Sequence, residues 1–508
     1  MNPKRLFLLL SVIVPVFIII LSDSFPWVNG LFIIVIPIIV IGYYDVLQKK
    51  HAIRRNFPVL GNIRYLFEMI RPEIMQYFVE TDTEGRPINR IFRTIIYQRA
   101  KKVNDTTPFG TQMDVYRVGY EWMDHSIYSV KASKLDMHPR VKVGGSLCEK
   151  PYSASLMNIS AMSFGSLSKN AIMALNKGAL IDGFAHNTGE GGISEHHLKY
   201  GGDLIWQIGT GYFGCRNEEG GFDQVKYREK SQLESVKMIE IKLSQGAKPG
   251  HGGILPASKN TEEIAAIRGV EPFTDVHSPP SHSAFSSPSE LISFIQQLRS
   301  LSGGKPIGFK LCIGVKEEFI DICREIKKSG VSPDFITIDG GEGGTGAAPI
   351  EFSNSLGMPL RDGLSFAYNT LIGFGLKDEI KIIASGKIFT GFHIARAIAL
   401  GADMVNSARG MMMSIGCIQA LKCNVNTCPV GVATQDSALM GGLNVEDKAK
   451  RAANYHHETL HSFIELIAAA GVSNPEDLKR SNINKRVSTN KTLTYAEVYP
   501  EIEPNSLS

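Results

Sequence analysis

The chain has 508 residues, of which 43% are hydrophobic and 49 are glycine, with a formal net charge of +4. That length buries a large core and admits two to three domains, or one oversized barrel with extensions. The mild charge excludes a protein held to nucleic acid by phosphate contacts. Seven cysteines in so long a chain exclude the disulfide framework of a small secreted domain.

Leu6 to Ser22 is almost unbroken aliphatic sequence, Asp23 to Gly30 is a turn-rich break, and Leu31 to Tyr44 is a second apolar run. The pattern predicts a transmembrane hairpin over residues 1–50. At about 1.5 Å per residue the first run spans roughly 25 Å, against a hydrocarbon core of about 30 Å. Pro15 and Pro37 are tolerated in such helices. Lys4 and Arg5 before the first run, and Lys49, Lys50, Arg54 and Arg55 after the second, put both outer ends in the cytoplasm by the positive-inside tendency. The expected location is the cell membrane, with the remainder on the cytoplasmic side. A cleaved signal peptide is disfavoured because a second apolar run follows, and a re-entrant second segment stays open.

Residues 51–150 are mixed, basic and aromatic, and are expected to form an N-terminal cap between membrane and body. An amphipathic helix is predicted near Arg64 to Glu80, with Pro72 as a break or kink. Leu66, Ile70, Ile74 and Phe78 recur every fourth residue, which reads as a membrane-facing or a core stripe, and helical spacing alone favours core.

From Met157 onward, short β-rich runs alternate with helical stretches. The expected strands are Met157 to Met162, Gly183 to His186, Asp203 to Gly209, Met238 to Leu243, Pro306 to Cys312, Phe335 to Gly340, Ile380 to Gly386 and Asp403 to Ala408. Expected helices include Ser166 to Leu180, Ser289 to Leu301, Lys316 to Lys328 and Gly391 to Leu400. Eight strands with crossover helices predict an α/β fold, a (β/α)8 TIM barrel over 151–435, with a doubly wound open sheet as the alternative. Residues 436–508 are expected as a C-terminal extension: a helix from about Val445 to Ala470, ended by Gly471, and then an extended arm.

In a barrel, chemistry belongs at strand C-termini. The seventh strand ends in Ala384-Ser385-Gly386 and the eighth in Ser407-Ala408-Arg409-Gly410, a pair of loops suited to a phosphate, with the fork of Arg409 as its partner. Lys310 stands inside the apolar run Pro306 to Cys312, where a charge needs a partner or a task. It is read as stabilising negative charge on a reduced cofactor or substrate, with a structural ion pair as the alternative. Lys242 is a weaker case of the same kind. Gly209 to Gly214 and Gly341 to Gly346 both match G-x-G-x-x-G, yet neither leads into a helix, so no nicotinamide fingerprint is assigned. His251 and His282 are candidate acid–base groups or hydrogen-bonded structural histidines.

Cys417, Cys423 and Cys428 are spaced C-x5-C-x4-C, with Pro429 directly after the last. Three thiolates suit an iron-sulfur cluster with three protein ligands better than a four-ligand zinc site. Cys148, Cys215, Cys312 and Cys323 stand apart and read as small buried hydrophobes.

From about Leu156 to Gln435 the chain resembles the FMN-binding synthase domain of glutamate synthases. The resemblance is carried by Ile159-Ser160-Ala161-Met162-Ser163-Phe164-Gly165, Asn187-Thr188-Gly189-Glu190-Gly191-Gly192, Gln245-Gly246-Ala247-Lys248-Pro249-Gly250, Phe309-Lys310-Leu311, Asp339-Gly340-Gly341 and Cys428-Pro429-Val430-Gly431-Val432-Ala433-Thr434-Gln435. The N-terminal hairpin, Asn56-Phe57-Pro58-Val59-Leu60-Gly61 and Tyr455-His456-His457-Glu458 look like its stand-alone, membrane-attached bacterial branch. The resemblance implies FMN and a 3Fe-4S cluster as cofactors. It implies Lys310 and Glu190 as catalytic residues, and Cys417, Cys423 and Cys428 as cluster ligands. Its implied FMN contacts are Ser163, Lys310, Asp339, Gly340, Gly341, Ser385, Gly386, Ala408, Arg409 and Gly410.

The implied activity is that of an oxidoreductase acting on CH-NH2 donors, in which reduced FMN converts 2-iminoglutarate, formed from 2-oxoglutarate and ammonia, to glutamate. A membrane hairpin stands where a full glutamate synthase begins with its glutaminase domain, so ammonia is expected from outside the chain. Gly308-Phe309 replaces the family's Ser-Val before the lysine, and Cys312 to Ile322 departs from its pattern near the keto acid. The expected partners are the membrane, this class of small substrate, and an electron-donor protein such as ferredoxin or a reductase subunit. An N-methylglutamate-synthase-like or methylamine-using transferase subunit, and a non-catalytic FMN and iron-sulfur relay, are the alternatives.

Overall fold

The computed structural model describes residues 2–103 and 106–507 and divides into two compact units, residues 1–90 and 91–508. In the first, helices Pro3–Ser22 and Phe32–Leu47 are joined by a 3-10 turn at Pro26–Leu31. Both apolar stretches are long and apolar enough to cross a membrane. They pack on each other through Phe7 and Tyr43, whose rings lie 5.6 Å apart, and Ser11 Oγ is 3.1 Å from the Tyr43 hydroxyl. A Cβ on Gly42 would stand 2.1 Å from the Phe7 ring, so the absence of a side chain there sets the approach.

The expected amphipathic helix runs from Leu60 to Ile74, straight through Pro72, and ends in a π-helical turn at Met75–Val79. Its start is anchored by buried Asp45, which accepts from Val59 N at 3.0 Å and from Asn62 Nδ2 at 2.5 Å. Of the two readings of its apolar period, the favoured one, core, fails: Leu66, Ile74 and Phe78 are exposed, Phe78 by 85%. Helical spacing gathers apolar side chains on one face, but it does not say what covers that face.

The second unit is built on a closed barrel of eight parallel strands, which excludes the open doubly wound sheet. They are β1 (Met157–Ile159), β2 (His186–Asn187), β3 (Leu204–Ile208), β4 (Val236–Lys242), β5 (Ile307–Leu311), β6 (Phe335–Asp339), β7 (Lys381–Ser385) and β8 (Met404–Ser407). They neighbour one another in chain order, and β8 pairs with β1 through Val405–Met157 and Ser407–Ile159. Every residue of β3, β5 and β6 is buried, as parallel strands covered on both faces require. The second strand starts later than expected because Gly183, at φ 69°, is the left-handed cap of the preceding helix Lys169–Asp182. The first strand ends early, and Ser160 onward turns into a loop over the barrel mouth.

Several crossover helices are signalled locally. The side chains of Ser168, Ser287 and Thr390 accept from the first turns of Lys169–Asp182, Pro288–Leu301 and Gly391–Ala399. Gly330 closes Lys316–Ser329 in the left-handed conformation. After β8 come the short helix Arg409–Ser414, the cysteine segment, and helix Val445–Ala469. That long helix packs against Lys169–Asp182 and Gly391–Ala399, so it fills the place of the barrel's own eighth helix. The stretch expected as an extended arm instead folds into a hairpin, Ile483–Ser488 with Lys491–Thr494, whose first strand pairs antiparallel with Glu121–Met123. Glu121 in turn bridges Arg361 and Arg396.

Candidate active site at the barrel mouth

Polar side chains fill the barrel in layers. In the lower one, Glu240 on β4 is fully buried and accepts from Asn187 Nδ2 at 2.8 Å, Gln207 Nε2 at 2.6 Å and Thr337 Oγ1 at 2.6 Å. A buried carboxylate requires such partners. Side chains alternate along a strand, so Lys242 follows Glu240 one layer up, and Asp339 follows Thr337. Lys310 on β5 is in register with Lys242. This upper layer lies at the strand C-termini, where a barrel carries its chemistry.

Lys310 Nζ stands 3.5 Å from Asp339 Oδ2, with both side chains buried. Burial works to discharge the ammonium, but Asp339, Glu240 and Glu190 outweigh it and raise the Lys310 pKa above the ordinary value. Lys310 therefore stays a cation. Asp339 Oδ2 also accepts from Gly246 N at 2.9 Å, and a Cβ on Gly246 would meet Gly340 O at 1.7 Å, so this crossing admits only glycine. The structure supplies the ion-pair partner of the structural reading, and it places Lys310 in the upper layer, at the C-terminal end of its strand.

Across the mouth, Lys242 Nζ bonds Glu190 Oε1 at 2.8 Å. Burial pushes the Glu190 carboxyl up, but Lys242, Lys248 and Arg268 prevail and hold it below its usual range. Glu190 is thus an ionised group that orients Lys242, with no proton to give. Arg268, which sequence reasoning missed, donates to Phe164 O at 3.2 Å. It lies in the short helix Glu262–Arg268, and no local pattern marks it. Lys248 donates to Ala347 O at 3.0 Å, and burial first, then Lys242, lower its pKa to about 8. Ser163 sits beside this group, for a Cβ on Gly189 would stand 2.9 Å from its amide nitrogen.

His282 is structural. Its Nε2 is 2.9 Å from Lys242 O, its Nδ1 is 3.1 Å from the Tyr212 hydroxyl, and burial lowers its pKa to about 4. His251 is part-buried, with Nδ1 2.9 Å from Gly252 O.

The expected phosphate loops stand together at the ends of β7 and β8. Ser385 Oγ is 3.5 Å from Ser160 Oγ, Ser385 O accepts from Gly340 N at 2.8 Å, and Gly386 has φ 148°. Gly341 N donates to Met358 O at 2.8 Å. Ala408 caps the short helix begun by Arg409, whose Nη2 donates to Glu342 O at 2.6 Å. Gly410 has a packing reason of its own: a Cβ there would meet the Tyr455 hydroxyl at 2.4 Å.

The three clustered cysteines are free thiols, with Cys428 buried and Cys417 and Cys423 half-buried. Burial pushes Cys417 up to about 12, against a backbone contact at Gln419 and with Cys423 and Cys428 adding to the rise. Lys259 reaches into this loop, donating to Ser166 O at 2.6 Å and to Cys423 O and Ala433 O at 3.1 Å each. Tyr97 donates to Cys417 O at 2.7 Å. Gln419, Leu421 and Asn426 all take left-handed backbone, at φ 59°, 55° and 61°. Such conformations are uncommon off glycine and persist where the surroundings impose them. The other four cysteines are free, and burial raises the pKa of each, in keeping with small hydrophobes.

A family model described as the conserved region in glutamate synthase matches residues 97–473. The chain belongs to the glutamate synthase family. It is 40% identical over 495 residues to the glutamate synthase large subunit-like protein YerD of Bacillus subtilis, a match covering 89% of this chain and 93% of that one. It is 36% identical over 322 residues to the archaeal glutamate synthase (NADPH) of Methanocaldococcus jannaschii, covering 63% and 60%. It is 34% identical over 320 residues to the archaeal-type glutamate synthase (NADPH) of Thermotoga maritima, again 63% and 60%. The family match takes in all eight strands, the mouth residues and the cysteine segment.

Proposed function

We propose that this glutamate-synthase-like oxidoreductase uses FMN in the barrel mouth to reduce 2-iminoglutarate, formed from 2-oxoglutarate and external ammonia, to glutamate. The observation that carries the reading is Lys310, buried beside Asp339 and kept charged by the surrounding carboxylates. Lysines 242, 248 and 310 with Arg268 give the mouth a cationic lining suited to a dicarboxylate and to an anionic reduced cofactor. FMN residues would be Ser163, Lys310, Asp339, Gly340, Gly341, Ser385, Gly386, Ala408, Arg409 and Gly410. The glycine crossings and the Ser160–Ser385 contact suit a flat ring and a phosphate there.

FMN held by these residues would supply the hydride that reduces the imine carbon. Lys310 Nζ stabilises the negative charge that develops beside it, and Glu190 keeps Lys242 pointed at the substrate carboxylate. Cys417, Cys423 and Cys428 would hold a 3Fe-4S cluster: the donor set is three thiols, and the loop bearing them is bent by left-handed residues around them.

The reading includes attachment to the cell membrane through the two apolar helices, with the barrel on the cytoplasmic side and a separate donor protein such as ferredoxin or a reductase subunit. The length and composition of Pro3–Ser22 and Pro26–Leu47 support it, as does the basic cluster Lys49, Lys50, Arg54 and Arg55.

The test is to photoreduce the purified flavoprotein and follow reoxidation on adding 2-oxoglutarate with ammonium. Reoxidation with stoichiometric glutamate is expected. No reoxidation by any keto acid with ammonium or methylamine sinks the proposal.

A further inference from the structure

At the opposite end of the barrel from the mouth, His138, Asp182 and His457 bring their ligand atoms within 4.8 Å of one another. We propose that they form a binding site for a divalent transition metal of the zinc class.

The three residues come from separate segments with fixed backbones. His138 precedes the strand Arg140–Val143; its amide donates to Asp136 Oδ1 at 2.9 Å, and the next carbonyl, of Pro139, accepts from Leu156 N at 3.1 Å. Asp182 is the last residue of helix Lys169–Asp182, and His457 lies midway along Val445–Ala469. Buried His456 reaches Met157 O at 3.0 Å with Nε2, at the N-terminal end of β1, and this locates the group.

Two imidazoles and a carboxylate are the donor set borderline cations prefer. The carboxylate is already oriented for the task. Asp182 Oδ2 is held by His456 Nδ1, while Oδ1 is left 3.6 Å from His457 Nδ1. His456 is itself locked by stacking on Phe184, with centroids 4.0 Å apart. Hydrogen-bonded carboxylates of this kind are what metal ligands use to fix their geometry. Metal–ligand bonds of about 2.1 Å in a tetrahedron put ligand atoms roughly 3.4 Å apart. The Asp182–His457 pair is already near that spacing, and the exposed His138 side chain closes the remainder by rotation. Water would complete the coordination. The metal would clip the His138 segment and the long helix to the floor of the barrel, away from the proposed chemistry.

The experiment compares the full-length protein with a His138→Ala/His457→Ala variant, both titrated with Zn2+ and, as a spectroscopic probe, Co2+. The parent should take up one equivalent more than the variant, and the Co2+ difference spectrum should show ligand-field bands without thiolate charge transfer. Saturating Zn2+ should raise the melting temperature of the parent only. Equal stoichiometry in both proteins overturns the proposal. If the double variant does not fold, His138→Ala alone decides: its Zn2+ affinity must fall at least tenfold, and unchanged affinity refutes the site.

Discussion

Lys310 is the residue on which the mouth is balanced. Lys310→Ala leaves Asp339 facing Glu240 and Glu190 with less compensation. We expect flavin reoxidation by substrate to slow by about two to three orders of magnitude, as on losing a positioned charge-stabilising group, while bound flavin is retained; an unchanged rate would discard the role. Lys248 gives a pH signature. Its lowered pKa, about 8, means the ammonium is present below that pH and lost above it. The KM for the anionic substrate should therefore rise as pH passes about 8, and Lys248→Arg should flatten the rise. Identical profiles would remove Lys248 from binding. Lys310 is legible in the sequence because a charge inside an apolar strand needs a reason. Arg268 is not: it joins Glu190 only through the fold, from a helix whose own pattern is ordinary.

At the scale of elements, the crossing of Lys169–Asp182 with Val445–Ala469 is close because Gly178 lies in it. A Cβ there would stand 2.8 Å from both Ala449 O and Ala452 Cβ. Gly178→Ala should cost about 1–3 kcal/mol, the range for overpacking a tight core, read as a lower denaturant midpoint. Most barrel strands are legible because they are apolar runs bounded by glycine or polar turns, whereas β2, His186–Asn187, meets its expected stretch only at His186. The hairpin at Ile483–Thr494 is not, since its partner strand Glu121–Met123 lies far upstream and local alternation carries no trace of it. The helix Leu60–Ile74 shows the converse limit: its period is read correctly and its burial is not.

For the whole molecule, the cysteine segment and the mouth should be separable by mutation. Cys423→Ser is expected to abolish the electron paramagnetic resonance signal of an oxidised cluster while flavin absorbance persists; a surviving cluster signal would refute the ligand assignment. The barrel does not end with its last strand. Helix Val445–Ala469 covers the join between β8 and β1, with Tyr455 donating to Phe389 O at 3.0 Å and His456 reaching the start of β1. A fragment stopped at Gln435 would keep every barrel strand, every proposed flavin contact and all three clustered thiols, yet expose the seam where the first barrel strand meets the last. The minimal piece of chain that carries the chemistry is therefore shorter than the minimal piece that can carry it in water, and a nascent chain would remain open-seamed until helix Val445–Ala469 had been synthesised.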